Sequence, residues 1–138
     1  LGSLWKLRIK PGKPFAFGHI GSTPILGLPG NTVSAFVTCL LLAKPFLFAQ
    51  QGDRDRALKY VRAIAKFEIR KTSNREQYLR VKVSESERDL IANLYSNQGS
   101  GIFSSICSSD ALARIPPDTS ISIGDDIGLL MLDSLVAP

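Results

Sequence analysis

Thr23-Pro24-Ile25-Leu26-Gly27-Leu28-Pro29-Gly30-Asn31 leads from an apolar run through two glycines and a proline into a long apolar segment that starts at Thr32. No other stretch narrows so far what the chain can build. Gly27 and Gly30 admit backbone angles closed to other residues, and Pro29 stiffens the turn between them. Asn31 is a favourable N-cap, and Val33-Ser34-Ala35-Phe36-Val37 has the apolar density of a buried helix. The spacing therefore predicts strand, tight turn and helix. A helix that begins at a sheet edge turns its unpaired N–H groups and the positive end of its dipole outward, which suits anions and phosphates above all.

The charge distribution agrees with an anion-binding role. Residues 1–52 hold five Lys/Arg and no carboxylate. Residues 1–82 hold 15 Lys/Arg against 4 Asp/Glu, a balance of +11, whereas residues 83–138 hold 2 against 8, a balance of −6. An acid-free segment supplies neither a carboxylate cage for Mg²⁺ nor the usual general base. With a single histidine, His19, and two cysteines, Cys39 and Cys107, at no metal-ligand spacing, the chain lacks the makings of a Ser/His/Asp triad or a zinc site. The cysteines read as reduced thiols. The longest apolar run, 37–49, is broken by Lys44 and Pro45 and is too short to span a bilayer. Residues 1–10 alternate apolar and basic side chains and do not resemble a signal peptide. The first residue is not Met, which fits a piece of a longer protein.

Trp5-Lys6-Leu7-Arg8-Ile9-Lys10 alternates strictly, as a strand with Trp5, Leu7 and Ile9 on one face and Lys6, Arg8 and Lys10 on the other. Pro11-Gly12-Lys13-Pro14 is a turn, Phe15–Ile20 a second strand, Gly21-Ser22 a hairpin turn and Thr23–Leu28 a third strand. Three strands and a helix imply an α/β unit with a mixed edge. The helix is expected over Thr32–Ala43, kinked or restarted at Lys44-Pro45 and continuing to about Gln50. Polar residues 51–56 mark a linker, so the expected domains are 1–55 and 56–138. Beyond the boundary strand period takes over. Strands are expected over 61–70, 78–83, 89–95, 111–115 and 127–132, with a turn at 72–75 and a loop plus short helix across the Gly/Ser-rich 96–109. That pattern implies a small barrel or sandwich, so the fold class is α/β followed by all-β.

Three lysines, Lys6, Lys10 and Lys13, together with Gly27-Leu28-Pro29-Gly30-Asn31 form the sharpest cluster. Two readings stay open for it: convergence on one polyanion, or a solvated strand face beside a tight connection. Asn97-Gln98-Gly99-Ser100-Gly101 exposes a hydroxyl and backbone N–H groups, useful for a ligand contact or merely a flexible link. Arg80, on the polar face of its strand with Lys82, is either a solvated arginine or a second anion contact. The carboxylates Glu85, Glu87, Asp89, Asp125 and Asp126 read as turn chemistry, and no metal ligands are assigned.

Lys10-Pro11-Gly12-Lys13-Pro14-Phe15-Ala16-Phe17-Gly18, then Gly27-Leu28-Pro29-Gly30-Asn31-Thr32-Val33-Ser34-Ala35, then Gln98-Gly99-Ser100-Gly101 resemble, in order and separation, the C-terminal part of the molybdopterin molybdenumtransferase family, to which the enzyme half of gephyrin belongs. The resemblance covers essentially the whole chain. It implies that residues 1 to about 55 end a molybdopterin-binding three-layer α/β domain and that the rest is a C-terminal β-barrel domain. The implied activity is insertion of molybdate into adenylylated molybdopterin, with Mg²⁺ and release of AMP, by a cytoplasmic homodimer.

Carried over by motif, Lys10 and Lys13 are the implied catalytic contacts to phosphate or molybdate. Lys6, Gly27, Pro29, Gly30, Asn31, Ser34, Arg80 and Ser100 are the implied substrate contacts. Thr32 stands where the family usually has a second proline. Proline there is pre-organised but not required, so altered loop stiffness is expected and not lost binding. The family's acidic, glycine-rich, Mg²⁺-holding segment would lie upstream of Leu1, so the chain alone is expected to bind weakly and not to turn over. Two other function classes compete. A nucleic-acid module fits a sequence pI of about 9.5, but Phe15, Phe17, Phe36, Phe46 and Phe48 sit in apolar contexts and are not interleaved with basic residues for stacking. A peptide-binding scaffold has no independent support in the residues. No nucleic-acid or membrane partner is expected.

Overall fold

The computed structural model describes residues 5–6, 9–10, 16–28, 32–53, 58–96 and 109–136. Strands β1 (Trp5–Lys6), β3 (Ala16–Ile20) and β4 (Thr23–Gly27) form a three-stranded sheet in the order β1-β3-β4. Both pairings are antiparallel, so the mixed edge expected from the sequence is absent from this sheet. Gly21 turns the β3–β4 hairpin as predicted.

Six strands make the second sheet: β2 (Ile9–Lys10), β5 (Val61–Ala65), β6 (Glu76–Ser86), β7 (Asp89–Leu94), β8 (Ala111–Ile115) and β9 (Asp126–Met131). Their order is β2-β6-β7-β5-β9-β8, and β6 also pairs with β8. That extra pairing closes β6-β7-β5-β9-β8 into a five-stranded barrel, and it is possible because β6 is 11 residues long. Its first half, Gln77–Val81, faces β8. Its second half, Val81–Ser86, faces β7. Closure removes the open edges that a flat sheet of these strands would expose.

Strict alternation sorts the barrel wall. Leu79, Val81, Val83, Ala92, Ala111, Ala113, Ile127, Leu129, Ala63 and Ala65 belong to the inner core, with Phe67 and Ile121 added from the loops. The small Ala side chains at five of these places let a narrow barrel close over larger Leu, Ile and Val partners. The strand expected over 61–70 stops at Ala65, because Gly124 N–H donates to the Ala65 carbonyl at 2.8 Å and Ala65 N–H to the Asp125 carbonyl at 2.9 Å. The chain bends there, and only an isolated bridge, Ile69 to Ile121, continues the pairing.

A helical rod runs without a break from Thr32 to Gln50: α1 (Thr32–Thr38), a π-helical turn (Cys39–Ala43) and α2 (Lys44–Gln50). The expected kink at Lys44-Pro45 takes this form because Pro45 has no N–H to give and its ring crowds the preceding turn. Lys44 N–H bonds Cys39 O, five residues back, and the wider turn absorbs the proline. Thr38 Oγ1 donates back to Ser34 O at 2.7 Å, which also loosens the α-helical ladder at this point. The rod ends in a Schellman cap: Gly52, at φ 88°, donates to Ala49 O and Asp53 to Phe48 O.

Val37, Leu40 and Leu41 of the rod form a second core with Tyr78, Leu112 and Leu130 of the barrel's outer wall and with Leu132 and Leu135. The last two lie on α3 (Leu132–Val136), a short helix absent from the sequence reading. One further correction concerns the first fifty residues: the predicted strand over 5–10 is two strands in two different sheets. The described part before the barrel is a hairpin-based sheet and a helical rod.

Candidate anion site

The basic residues are organised along β6. β2 lies parallel to it, with Ile9 opposite Glu76 and Lys10 opposite Gln77. Three residues further along β6 in the same direction, about 10 Å at strand rise, is Arg80. Lys6 is in the other sheet, its backbone opposite Ala16. A single strand face carrying Lys6, Arg8 and Lys10 is therefore not formed, and it is Lys10 that joins the barrel. Lys13, Pro29, Gly30, Asn31 and Ser100 lie outside the described residues.

Gly27 ends β4 opposite Ala16 at an ordinary extended backbone. The reason for glycine is the neighbour: a Cβ here would come within 3.3 Å of Ala16 Cβ. Backbone freedom, the reason expected from the sequence, does not apply at this position. Ser34, in the first half of α1, is buried and its carbonyl is engaged by Thr38.

Arg80 is 2% exposed, so the solvated-arginine reading fails. Its face was legible: Tyr78, Arg80 and Lys82 point away from the barrel interior, opposite Leu79, Val81 and Val83. What the sequence missed is that this outer wall is covered. Arg80 is in register with Leu112, and Leu112 with Leu130, so its side chain is on the outer face on which the rod packs. Desolvation lowers the Arg80 pKa from its ordinary value, although a guanidinium stays cationic at neutral pH. Lys82, one pair further on, is exposed and 3.7 Å from Asp110.

Beside Arg80 lies a polar network that the sequence did not single out. Tyr78 OH donates to Glu76 Oε2 at 3.2 Å and meets Tyr60 OH at 3.1 Å. Glu76 also pairs with Arg114 Nε, and the Arg114 guanidinium stands 5.8 Å from the Tyr60 ring centre. Tyr60 covers Gly128, where a Cβ would lie 3.2 Å from the ring. Burial opposes the Arg114 charge, yet Glu76 prevails and its pKa is raised. Burial is likewise the chief cause that raises the Tyr78 pKa, helped by Tyr60 and Glu76.

The Tyr78 phenol therefore keeps its proton in the folded state well above the ordinary 10.0. The unfolded chain releases that proton near pH 10, so stability is unaffected below it and falls above it. Its steepest slope is about 1.4 kcal/mol per pH unit for one proton. Urea titrations between pH 8 and 11 should show this fall, and in Tyr78→Phe the contribution of this one group should vanish. An identical alkaline slope in both proteins would contradict the assignment.

Among the described residues no group of three or more His, Cys, Asp or Glu is placed to hold a metal ion. The Mg²⁺ implied by the resemblance thus finds no donor set there. Nor is any helix among them long and apolar enough to cross a membrane.

Fold and site together define a small closed β-barrel with a helical rod on its outer wall and cationic residues collected along one barrel strand. The description of the MoeA C-terminal region (domain IV) matches residues 62–132, just over half of the 138 residues, and the chain belongs to that family. It is 33% identical over 128 residues to the molybdopterin molybdenumtransferase of Haemophilus influenzae, covering 91% of this chain and 32% of that protein. It is 35% identical over 116 residues to the molybdenum cofactor synthesis protein cinnamon of Drosophila melanogaster, covering 83% of this chain and 19% of that protein. The crystal structure of the molybdopterin biosynthesis MoeA protein from Pyrococcus horikoshii OT3 superposes with a TM-score of 0.71 at 28% identity, over 93% of this chain and 32% of that one. The chain thus spans about a third or less of the length of these relatives.

Proposed function

We propose that this chain is the C-terminal portion of a molybdopterin molybdenumtransferase, working in molybdenum cofactor biosynthesis by transfer of molybdate into adenylylated molybdopterin with release of AMP. The observation that carries the reading furthest is the parallel seating of β2 against β6. It sets Lys10 and Arg80 on neighbouring strands, one from the Lys-Pro-Gly-Lys-Pro motif and one from the barrel. Lys10 is level with Gln77 and Arg80 follows three residues on, so alternation puts them on opposite faces of this strand pair, and each offers its charge to an oxyanion on its own side.

In this reading Lys10 and Lys13 neutralise phosphate and molybdate oxygens as charge develops. Lys6, Ser34, Arg80, Ser100 and the loop of Gly27, Pro29, Gly30 and Asn31 orient the ligand. A guanidinium already stripped of water meets an oxyanion without further desolvation of its own, which strengthens the contact. Residues 1–55 are the end of the molybdopterin-binding α/β domain and 56–138 the barrel domain. The family also underlies three finer proposals: Mg²⁺ as cofactor, held outside the described residues, a cytoplasmic location, and a homodimer.

Lys10→Ala and Lys13→Ala should each weaken binding of adenylylated molybdopterin by about tenfold or more, the worth of one charge-assisted contact. Equilibrium titration of the full-length enzyme measures this. Unchanged affinity in both variants would count against the proposal.

A further inference from the structure

The helical rod is attached differently at its two ends. Its first half and π-helical turn pack on the barrel through Val37, Leu40 and Leu41. Its second half reaches the other sheet, where Phe46 meets Phe17 of β3 edge to face with ring centres 5.4 Å apart. The π-helical turn itself carries Leu40 and Leu41, so the barrel attachment runs through it, and the rod leaves the barrel where that turn, loosened by the Thr38 back-bond, meets Lys44-Pro45. A proline next to an irregular turn is where a rod bends.

At that bend Lys44, the first residue of α2, extends its Nζ to the carbonyl of Leu135 at 2.6 Å, with the Phe48 ring centre 5.9 Å away. Leu135 is in the last turn of α3, whose carbonyls have no intrahelical partner and whose dipole end attracts a cation. α3 itself belongs to the barrel: Leu132 N–H bonds Asp110 O, and Leu132 and Leu135 sit in the core of the outer wall.

We infer that Lys44 is a latch across a hinge: its bond to the C-terminal end of α3 sets the angle between the β1-β3-β4 sheet and the barrel, and the junction of the π-helical turn with α2 at Lys44-Pro45 is the pivot. Lys44 is thus a positioning residue. β1 and β2, consecutive in the chain, also belong one to each unit. The latch stands whether or not the site along β6 takes molybdopterin.

Spin labels at two exposed positions, Thr23→Cys on the small sheet and Glu85→Cys on the barrel, in a Cys39→Ser, Cys107→Ser background, read the angle as a distance distribution. The parent should give one narrow distribution. Lys44→Met, which keeps the stem and loses the donor, should broaden or displace it while the circular dichroism of the barrel is unchanged. Lys44→Arg, which still donates, should restore it. Should Lys44→Met prove insoluble, Lys44→Gln carries the same expectation, since its amide is too short to reach the carbonyl. A parent-like distribution in a folded Met or Gln variant would overturn the latch. So would loss of the folded barrel in both, which would make Lys44 a stability residue and nothing more.

Discussion

Replacing Val37 by Asp is expected to destabilise the chain by about 3–5 kcal/mol, the cost of an uncompensated charge in a buried site. Val37 is fully buried and its neighbours in the outer-wall core are Leu40, Leu41, Leu112, Leu130 and Tyr78. None of the aliphatic neighbours can accept or donate a hydrogen bond, so the carboxylate either stays unpaired, takes up a proton, or drives the rod off the barrel. A domain of this size has about 5–15 kcal/mol in total, so the loss consumes a large share of it. Urea denaturation measures the loss, and faster proteolysis within 32–50 would show that the rod has left the wall. Leu47→Asp, at a position 54% exposed on the same rod, is the control and should change stability by less than about 0.5 kcal/mol. Equal, small effects at both positions would mean that the rod and the barrel do not share a core.

The second large effect concerns Arg80. Holding a guanidinium at 2% exposure costs desolvation, and a methionine of similar length fills the space without that cost. Arg80→Met should therefore fold with stability within about 1–2 kcal/mol of the parent. Its affinity for adenylylated molybdopterin should fall by more than about tenfold, because a charge-assisted bond is worth roughly 1.5–3 kcal/mol. The two readouts separate the roles. A structural arginine would lose stability and keep affinity; a ligand-binding one does the reverse.

What was legible in the sequence follows from what alternation encodes. Ala111–Ile115 was read with its observed limits, because a strand packed inside and outside announces itself by composition as well as by period. Trp5–Lys10 was read as one strand because alternation is blind to which sheet a residue joins, and there the chain passes from one sheet to the other. Alternation puts Arg80 on its observed face and leaves its environment open between solvent and an anion contact. Local pattern says which way a side chain points, and only the rod, forty residues earlier, decides that the outward face is covered. Tyr60, Glu76, Tyr78 and Arg114 meet only through barrel closure, so no spacing rule gathers them. Leu132–Val136 is too short to show a helical period of its own. Gly27 was rightly marked as special, but Ala16 on the adjacent strand supplies the reason.

The central claim is that Lys10 and Lys13 of the Lys-Pro-Gly-Lys-Pro motif serve one ligand. A double-mutant cycle in the full-length enzyme tests this most directly: the affinity of adenylylated molybdopterin for the parent, Lys10→Ala, Lys13→Ala and the double variant, by equilibrium titration. Residues that share a ligand are coupled, and the cycle should close with an interaction energy of about 0.5–3 kcal/mol, the double variant losing less than the sum of the single losses. Strictly additive losses, or no loss in either single variant, would contradict it.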